Sequence, residues 1–470
     1  MKLIRLILII FLLPISARAD FGISQWNEYI QLTDDGKKVM LTIQGQVKGL
    51  EKNQMMTAFS LGFSPKQKIT ITSVALDGKD AKYDFKENKL KVNFPDSRSN
   101  NQLATIKIAY EEKYDLINRY LRQEAIYVPD FAAGAASTIM INFSGYELTT
   151  YLLSGTHDGG GVREGSRLTY TTIVPKEGIL KSVKFTPDSG AWKVVVKTKI
   201  IAEKELGEFV LKAPSYFYSA RQRVSNYQSS FSKKPSVTDR KGGDINYTFR
   251  IPQNEFEMRV EANVFNGVAN QRQLMKNMIS YSKISQEEMA LVAPLLNQAK
   301  TDPKYAGMPI YVAIGEFVHD YLRYDKSYVG ALLPLADIIK NKVGVCVEFA
   351  KLYDVMARAA GIPSLILDGG ACGEYDECQG HSWNMIFYGG RWMEVDPTWN
   401  LMSGAVSSSH VYISDGGAGE IAIKYRHNAG KVQMNMDLEM QDLNRKEESK
   451  VERNAEPKDQ SSQLKIRATK

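Results

Sequence analysis

From Asp20 to about residue 255, apolar and polar positions alternate in short runs. Val39-Met40-Leu41-Thr42-Ile43, Ile69-Thr70-Ile71-Thr72 and Trp192-Lys193-Val194-Val195-Val196 are examples, bounded by Asp-Gly, Gly-Lys or Pro-Asp turn signals. Period two predicts strands with one buried face. More than eight such runs, spaced about 8–15 residues apart, predict one or two antiparallel sandwiches. The segment LDGKDAKYDFKENKLKVNFP (76–95) predicts a pair of edge hairpins. Past about residue 268 the period becomes 3.6. Ile310, Ile314, Phe317, Val318 and Tyr321 fall on one face of a helix expected to end near Tyr324, with His319 on its solvated side. A short helix around Leu335–Ile339 leads into Lys342-Val343-Gly344. The run VEFAKLYDVMARAAG after Gly344-Val345-Cys346 predicts a further helix with Phe349, Leu352, Tyr353 and Met356 inward and Gly361 as its C-cap.

Composition changes this picture little. At 470 residues, 43% hydrophobic and 24% charged, the chain is neither collagenous nor broadly disordered. The formal charge of +7 suggests a polyanion partner until the first residues are read. MKLIRLILIIFLLPISARAD has a basic start, an apolar run and a small-residue cleavage site before Asp20, the pattern of a secretory signal peptide. Its removal takes Lys2, Arg5 and Arg18 and lowers the charge to +4, with no basic block left to follow a phosphate backbone. A nucleic-acid partner is therefore not expected. No later run is long and apolar enough to span a bilayer, so an exported protein, periplasmic or secreted, is expected. The last thirty residues carry 8 basic and 6 acidic groups and few large apolar ones, which predicts a disordered tail.

The candidate chemistry lies between Gly344 and Asn400. A thiol in the first turn of a helix meets the positive end of the helix dipole and unpaired backbone N–H groups. Both favour thiolate, and the N–H groups can serve as oxyanion donors. Further on, His-Ser-Trp-Asn-Met-Ile-Phe-Tyr and Arg-Trp-Met-Glu-Val-Asp-Pro-Thr-Trp flank Gly389-Gly390, which predicts a two-residue hairpin. If Tyr388 pairs with Arg391, Asp396 lies across from Trp383 and on the same face as His381. The two are then diagonal neighbours, and Asp396 can hold one imidazole nitrogen while the other faces the thiol. Trp383, Trp392 and Trp399 cluster around them, as core or as the wall of a substrate groove. His157 and Asp158 in GTHDGGGVREG (155–165) read as a flexible hairpin tip rather than a metal or phosphate site.

The order Cys346, His381, Asp396, in the contexts GVCVEFAKLYDVMARAAGIPS, GHSWNMIFYGGRW and MEVDPTW, resembles the transglutaminase-like superfamily, most closely its bacterial branch. The resemblance spans roughly residues 270–438 and implies a papain-like α+β domain. In it a helix bearing the nucleophile packs on an antiparallel sheet bearing the histidine and aspartate. The sheet's remaining strands are expected at Val411-Tyr412-Ile413, Ile421-Ala422-Ile423 and Val432-Gln433-Met434, with His410 and His427 at strand edges and without a role. The superfamily's chemistries share one acyl-thioester step. This chain lacks the Gln and Trp that flank the cysteine in the animal cross-linking enzymes, and it shows Asp-Pro-Thr-Trp where they show Thr-Pro-Gln. Glu374, Asp376 and Glu377 form the nearest acidic cluster and read as a solvated loop, not a calcium site. Amide hydrolysis therefore stands ahead of cross-linking. Tyr324 is the candidate for a second oxyanion donor. The segment 76–95 is also faintly similar to the N-terminal β domain of zinc aminopeptidases, but no HExxH zinc motif accompanies it.

With Cys346 read as the nucleophile, Cys372 and Cys378 are the disulfide candidate. Three free thiols, a metal pair, or a regulatory bond to Cys346 are the alternatives. The expected fold class is thus α+β: a signal peptide (1–19), a β-sandwich domain (20–130), a second β-rich domain (131–266), the transglutaminase-like catalytic domain (267–438) and a charged tail (439–470). The expected function is thiol-dependent hydrolysis of extracytoplasmic proteins or peptides, cell-wall peptides among them, with no cofactor and no metal. Acyl transfer to an amine by the same three residues is the first alternative. A binding or assembly protein with a vestigial site is the second.

Overall fold

The computed structural model describes residues 20–50, 54–64, 67–114, 120–150, 161–214, 222–241, 244–267, 283–373, 378–415, 422–425, 432–444 and 464–467. The expected signal peptide, His157, Asp158, Glu374, Asp376, Glu377, His427 and most of the expected tail lie outside the described residues. The chain is mostly β and forms two compact units. One comprises Met1–Asn118, Arg122–Glu147 and Leu152–Phe185; the other holds Arg119–Leu121, Leu148–Tyr151 and everything from Thr186 onward. Among the described residues no helix is long and apolar enough to cross a membrane.

The first unit is built on an eight-stranded sheet. Its order is Gly161–Glu164, Arg167–Ile173, Ala136–Asn142, Asp20–Thr33, Gly36–Lys48, Leu103–Lys113, Lys68–Leu76 and Lys79–Asp80. Alternation along Gly36–Lys48 buries Val39, Leu41, Ile43 and Val47, as the period-two reading requires. Segment 76–95 makes the two expected hairpins, turning at Asp77-Gly78 and at Glu87-Asn88 with positive φ at all four positions. The expected boundary at 130/131 falls inside this unit. Asp20–Thr33 pairs in parallel with Ala136–Asn142, and Arg122–Val128 pairs with Ile179–Pro187, so the ladders close over it.

The second unit begins with two further sheets. One runs in the order Gln222–Phe231, Glu255–Asn266, Gly190–Ala202, Val432–Asp442, Leu464–Arg467, and the other Val237–Lys241, Asp244–Ile251, Gly207–Pro214, Ala422–Tyr425. Buried residues of both, Trp192, Phe209, Phe249 and Phe256 among them, share one core with Cys372, Val411 and Ile413. Four helices follow: α1 (Gln286–Thr301), α2 (Ile310–Tyr321), α3 (Leu335–Asn341) and α4 (Cys346–Ala359). They bury Val292, Ile314, Val318, Phe349, Tyr353 and Met356 against Ile386 and Val395 of a four-stranded antiparallel sheet. That sheet has the order Arg391–Val395, Cys378–Tyr388, Ser364–Cys372, Val411–Asp415. Gly361, with φ +80°, ends α4 as expected.

Two expectations are corrected here. Of the three strands assigned to the catalytic sheet after Asp396, only Val411–Asp415 joins it. Ala422–Tyr425 pairs with Gly207–Pro214 and Val432–Asp442 with Gly190–Ala202, where they complete the ladders of the preceding β region. The tail expected from residue 439 also starts too early, because Val432–Asp442 is paired along its length and Leu464–Arg467 pairs with it in turn.

The first unit contains an ionic cluster in its interior. Lys37 lies 3.4 Å from Glu112 and 3.3 Å from Glu124, and Glu124 also takes bonds from Arg122 and Tyr114. Nearby, burial pushes the Glu28 carboxyl up to about 7, against the pull of Lys37 and the Trp26 indole, with the Glu112 charge adding to the rise. The folded state therefore keeps a proton that the unfolded chain releases at its ordinary carboxylate pKa. This contribution is complete below the unfolded value and is lost as pH rises through about 7. The shift corresponds to roughly 3 kcal/mol. Glu28→Gln should remove most of that slope from the urea-unfolding free energy between pH 5 and 8. Parallel slopes for the two proteins would refute the assignment.

Candidate active site

Cys346 opens α4 after the N-cap Val345, which follows the two-residue strand Val343–Gly344, itself paired in parallel with Arg323–Tyr324. Glu348, in the first turn, is buried and accepts from Val345 N at 2.9 Å and from Leu333 N at 3.2 Å. It therefore fixes both the helix start and the segment before α3. A side chain at Gly344 would press on Glu348, with a Cβ only 2.4 Å from its side chain, so the close approach needs glycine. Cys346 is a free, buried thiol.

His381 sits in strand Cys378–Tyr388 and Asp396 immediately follows strand Arg391–Val395. Gly389 and Gly390 have φ +58° and +79°, the values a tight two-residue hairpin needs, and Tyr388 pairs with Arg391 as the sequence implies. The ladder continues to Asn384↔Val395 and stops. Asp396 instead exchanges backbone bonds with Leu401 at 3.0 and 2.9 Å, closing a small loop through Pro397, Thr398, Trp399 and Asn400. Asp396 Oδ1 accepts from the backbone N–H of Thr398 (2.8 Å) and Trp399 (3.2 Å), and Oδ2 accepts from His381 Nε2 at 2.9 Å. The Cys346 sulfur lies close enough to the same imidazole to raise its proton affinity, with Nδ1 the nitrogen left to face it. The structure thus brings together the three residues that the sequence singles out.

The electrostatics follow from burial and pairing. Burial opposes the imidazolium of His381, but the Asp396 carboxylate and the Cys346 sulfur outweigh it and raise the imidazole pKa to about 10. Burial likewise opposes the Asp396 anion, yet His381 and His410 hold its carboxyl well below the usual range. Tyr324 pairs with Gly344, two residues from Cys346. Burial, then the charges on Cys346 and Asp396, push its phenol up, so it stays a protonated donor.

The tryptophans divide. Trp383 and Trp392 are core residues, whereas Trp399 is half-buried. Trp399 and Trp383 both lie nearly parallel to the His381 ring, at 4.5 and 6.1 Å. His319 is not solvated as expected. Its Nδ1 is 3.1 Å from the Pro397 carbonyl, and with Asn400 bonded to Glu316, α2 holds the loop after Asp396 from outside. Cys372 and Cys378 are directly paired across their strands and are disulfide-bonded, which leaves Cys346 as the thiol.

Sequence reasoning misses one residue, His410. It is buried, and its Nε2 lies 3.1 Å from the Asp396 Oδ2 that His381 also uses. Only its place at the start of a strand in the same sheet pointed there, and spacing does not separate that place from an ordinary strand edge. His381, Asp396 and His410 set three ligand-type atoms within 4.8 Å of one another. In the structure these atoms bond each other.

Residues 295–397 match the model of the transglutaminase-like superfamily. None of the curated proteins matches the chain. Among solved structures, a Cytophaga hutchinsonii protein provisionally assigned as a cysteine protease is 17% identical. The match covers 55% of this chain and 92% of that one, with a TM-score of 0.41. An M1 zinc metallopeptidase from Deinococcus radiodurans matches 40% of this chain and 44% of its own at 8% identity and TM-score 0.24. Leukotriene A4 hydrolase from Saccharomyces cerevisiae matches 37% and 30% at 12% identity and TM-score 0.24.

Two outcomes follow. Iodoacetamide should alkylate Cys346 at pH 6 at least about tenfold faster in the wild type than in His381→Ala, because the imidazole is the base that draws the proton from the sulfur; equal rates would refute the pairing. Replacing Cys372 and Cys378 by serine should lower the urea-unfolding free energy by about 2 kcal/mol, the loop-closure entropy of so short a ring. An unchanged midpoint would leave the disulfide no structural part.

Proposed function

We propose, taking the transglutaminase-like domain as premise, that the protein is a thiol-dependent acyl-transfer enzyme that hydrolyses amide bonds of proteins or peptides. One observation carries this reading: the His381 imidazole is bonded to Asp396, and the free, buried Cys346 sulfur acts on the same imidazole. His381 takes the proton of the Cys346 thiol, the sulfur attacks the amide carbonyl, and the carbonyl oxygen takes the negative charge. It is received by the backbone N–H at the start of α4, with the Tyr324 hydroxyl as second donor. His381 then gives its proton to the departing amine, the C–N bond breaks, and a thioester remains on Cys346. Water attacks the thioester with His381 as base, and the acid leaves as the thiol re-forms. Asp396 orients the imidazole and stabilises its charged form.

The wider reading takes in the fold and the compartment. The helices and four-stranded sheet around Cys346 form a papain-like α+β domain, and the first unit folds as a β-sandwich. The first nineteen residues direct export, so the protein works in the periplasm or outside the cell, on extracytoplasmic proteins or peptides, cell-wall peptides among them. The residues flanking Cys346 differ from those of the animal cross-linking enzymes, which favours water over an amine as the acceptor.

A mixture of casein peptides and dansylcadaverine tests this. The expected result is release of new amino groups or ammonia, lost by about a thousandfold or more in Cys346→Ala, as when a nucleophile is removed. Cys346-dependent incorporation of the amine without hydrolysis would assign transamidation instead. Absence of both, with Cys346 unreactive, would point to a binding protein.

A further inference from the structure

We propose that His410 is a positioning residue of the site, and that the β-rich sheets of the same unit serve to hold it there. The proposal rests on the Cys346–His381–Asp396 reading and extends it by one residue and its support. Two imidazoles, His381 and His410, aim Nε2 at one oxygen of Asp396, at 2.9 and 3.1 Å. The other oxygen takes two backbone N–H groups. The carboxylate therefore has donors at four positions, and none of the three side chains is more than 2% exposed. A carboxylate accepts about four hydrogen bonds, so this one is saturated and its rotation is blocked. Both histidines must carry the proton on Nε2, and in His381 this presents Nδ1 to the thiol.

His410 is itself gripped. Its ring stands edge-on to Trp383 and Trp399, 5.0 Å from each, and these are the two tryptophans that lie along His381. The backbone on either side is fastened by the β region. Asn266 Nδ2 donates to the carbonyls of His410 (2.8 Å) and Ser408 (2.9 Å), and Trp192 Nε1 donates to Ser408 O at 3.0 Å. Ser408 N donates to Thr186 Oγ1, and Gln222 exchanges two bonds with the backbone of Tyr412. Asn266, Trp192 and Gln222 come from three adjacent strands of one sheet. All three are buried polar or indole groups whose bonds end on the segment carrying His410.

The groups that face Asp396 are His381, His410 and, through charge, Tyr324; Cys346 stands beyond His381. Loss of one donor from Oδ2 raises the proton affinity of the carboxylate and frees its rotation. The experiment is the iodoacetamide labelling rate of Cys346 in the full chain between pH 5 and 9, for wild type, His410→Ala, His410→Gln, Asn266→Ala and His381→Ala. His410→Ala is expected to lower the rate at pH 6 about tenfold and to move the acid limb of the profile upward. His410→Gln, whose amide can donate to Oδ2, should recover most of the rate. Asn266→Ala should move it the same way by a smaller factor.

The proposal is overturned if folded His410→Ala keeps the wild-type profile within twofold, or if Ala and Gln at this position are equally impaired. Should His410→Ala fail to fold, the Gln and Asn266→Ala profiles decide: a wild-type profile in Asn266→Ala together with an impaired Gln variant counts against it. A wild-type rate in His381→Ala would instead reject the underlying three-residue reading, whatever His410 does.

Discussion

A carboxylate with no exposure to solvent must be fully solvated by the protein, and the region around Cys346 is arranged to meet that demand at Asp396. Removing one partner from a buried charge costs about 3–5 kcal/mol, whereas an exposed ion pair is worth about 1 kcal/mol at most. The four donors come from different stretches of chain: two from the loop that Asp396 itself begins, one from the adjacent strand and one from the segment before Val411. The loop is shaped for this by Asn400 at φ +53° and by the reciprocal bonds to Leu401. Helix α2 secures it through His319 and Glu316, and Met402 packs against Gly315, where a Cβ would collide with it. A position in the chain that looks like a mere hairpin end is thus the point on which several elements converge.

The packing follows the same logic. One hydrophobic core joins the two β-rich sheets to Cys372, Val411 and Ile413, so the sheet bearing His381 shares its interior with theirs. A second core lies between the helices and Ile386, Met393 and Val395, and a third cluster, Leu365, Leu367, Trp383, Met385 and Tyr412, lies on the other face of that sheet. The sheet is therefore buried on both sides, and the side chains between the cores cannot relax independently. Ser409 extends the coupling: its hydroxyl bonds both N and O of Cys372, one partner of the disulfide that precedes His381 by three residues. Constraint on the imidazole arrives from both ends of its strand.

How much of this was legible in the sequence depended on how local the cause was. The hairpin register followed from Gly389-Gly390, because a two-residue turn fixes pairing by itself, and with it came the meeting of His381 and Asp396. The helix at Cys346 and its end at Gly361 followed from periodicity and a positive-φ glycine. Strand membership did not follow in the same way. Ala422–Tyr425 and Val432–Asp442 read as strands, but which sheet they enter is decided by partners more than 200 residues earlier. The 130/131 boundary failed for a related reason, since a parallel pairing between Asp20–Thr33 and Ala136–Asn142 leaves no local mark. His410 was missed because its contacts are set by Asp396, across a loop, and by Asn266, 144 residues earlier.

Two buried ionic clusters among the described residues, one in each unit, differ in where their bonds end. In the first unit, Lys37, Arg122, Glu112, Glu124 and Tyr114 bond one another, and those bonds end within the cluster. Perturbed ionisation alone would mark that cluster as readily as the other. What distinguishes Asp396 is the direction of the chain of bonds. Its charge is passed through His381 to a sulfur at the start of a helix, beside a half-buried Trp399 and the protonated phenol of Tyr324. A network that ends on itself rigidifies a core. One that ends on a free thiol leaves a group unused by the network, and it is this open end, more than the size of any shift, on which the proposed chemistry rests.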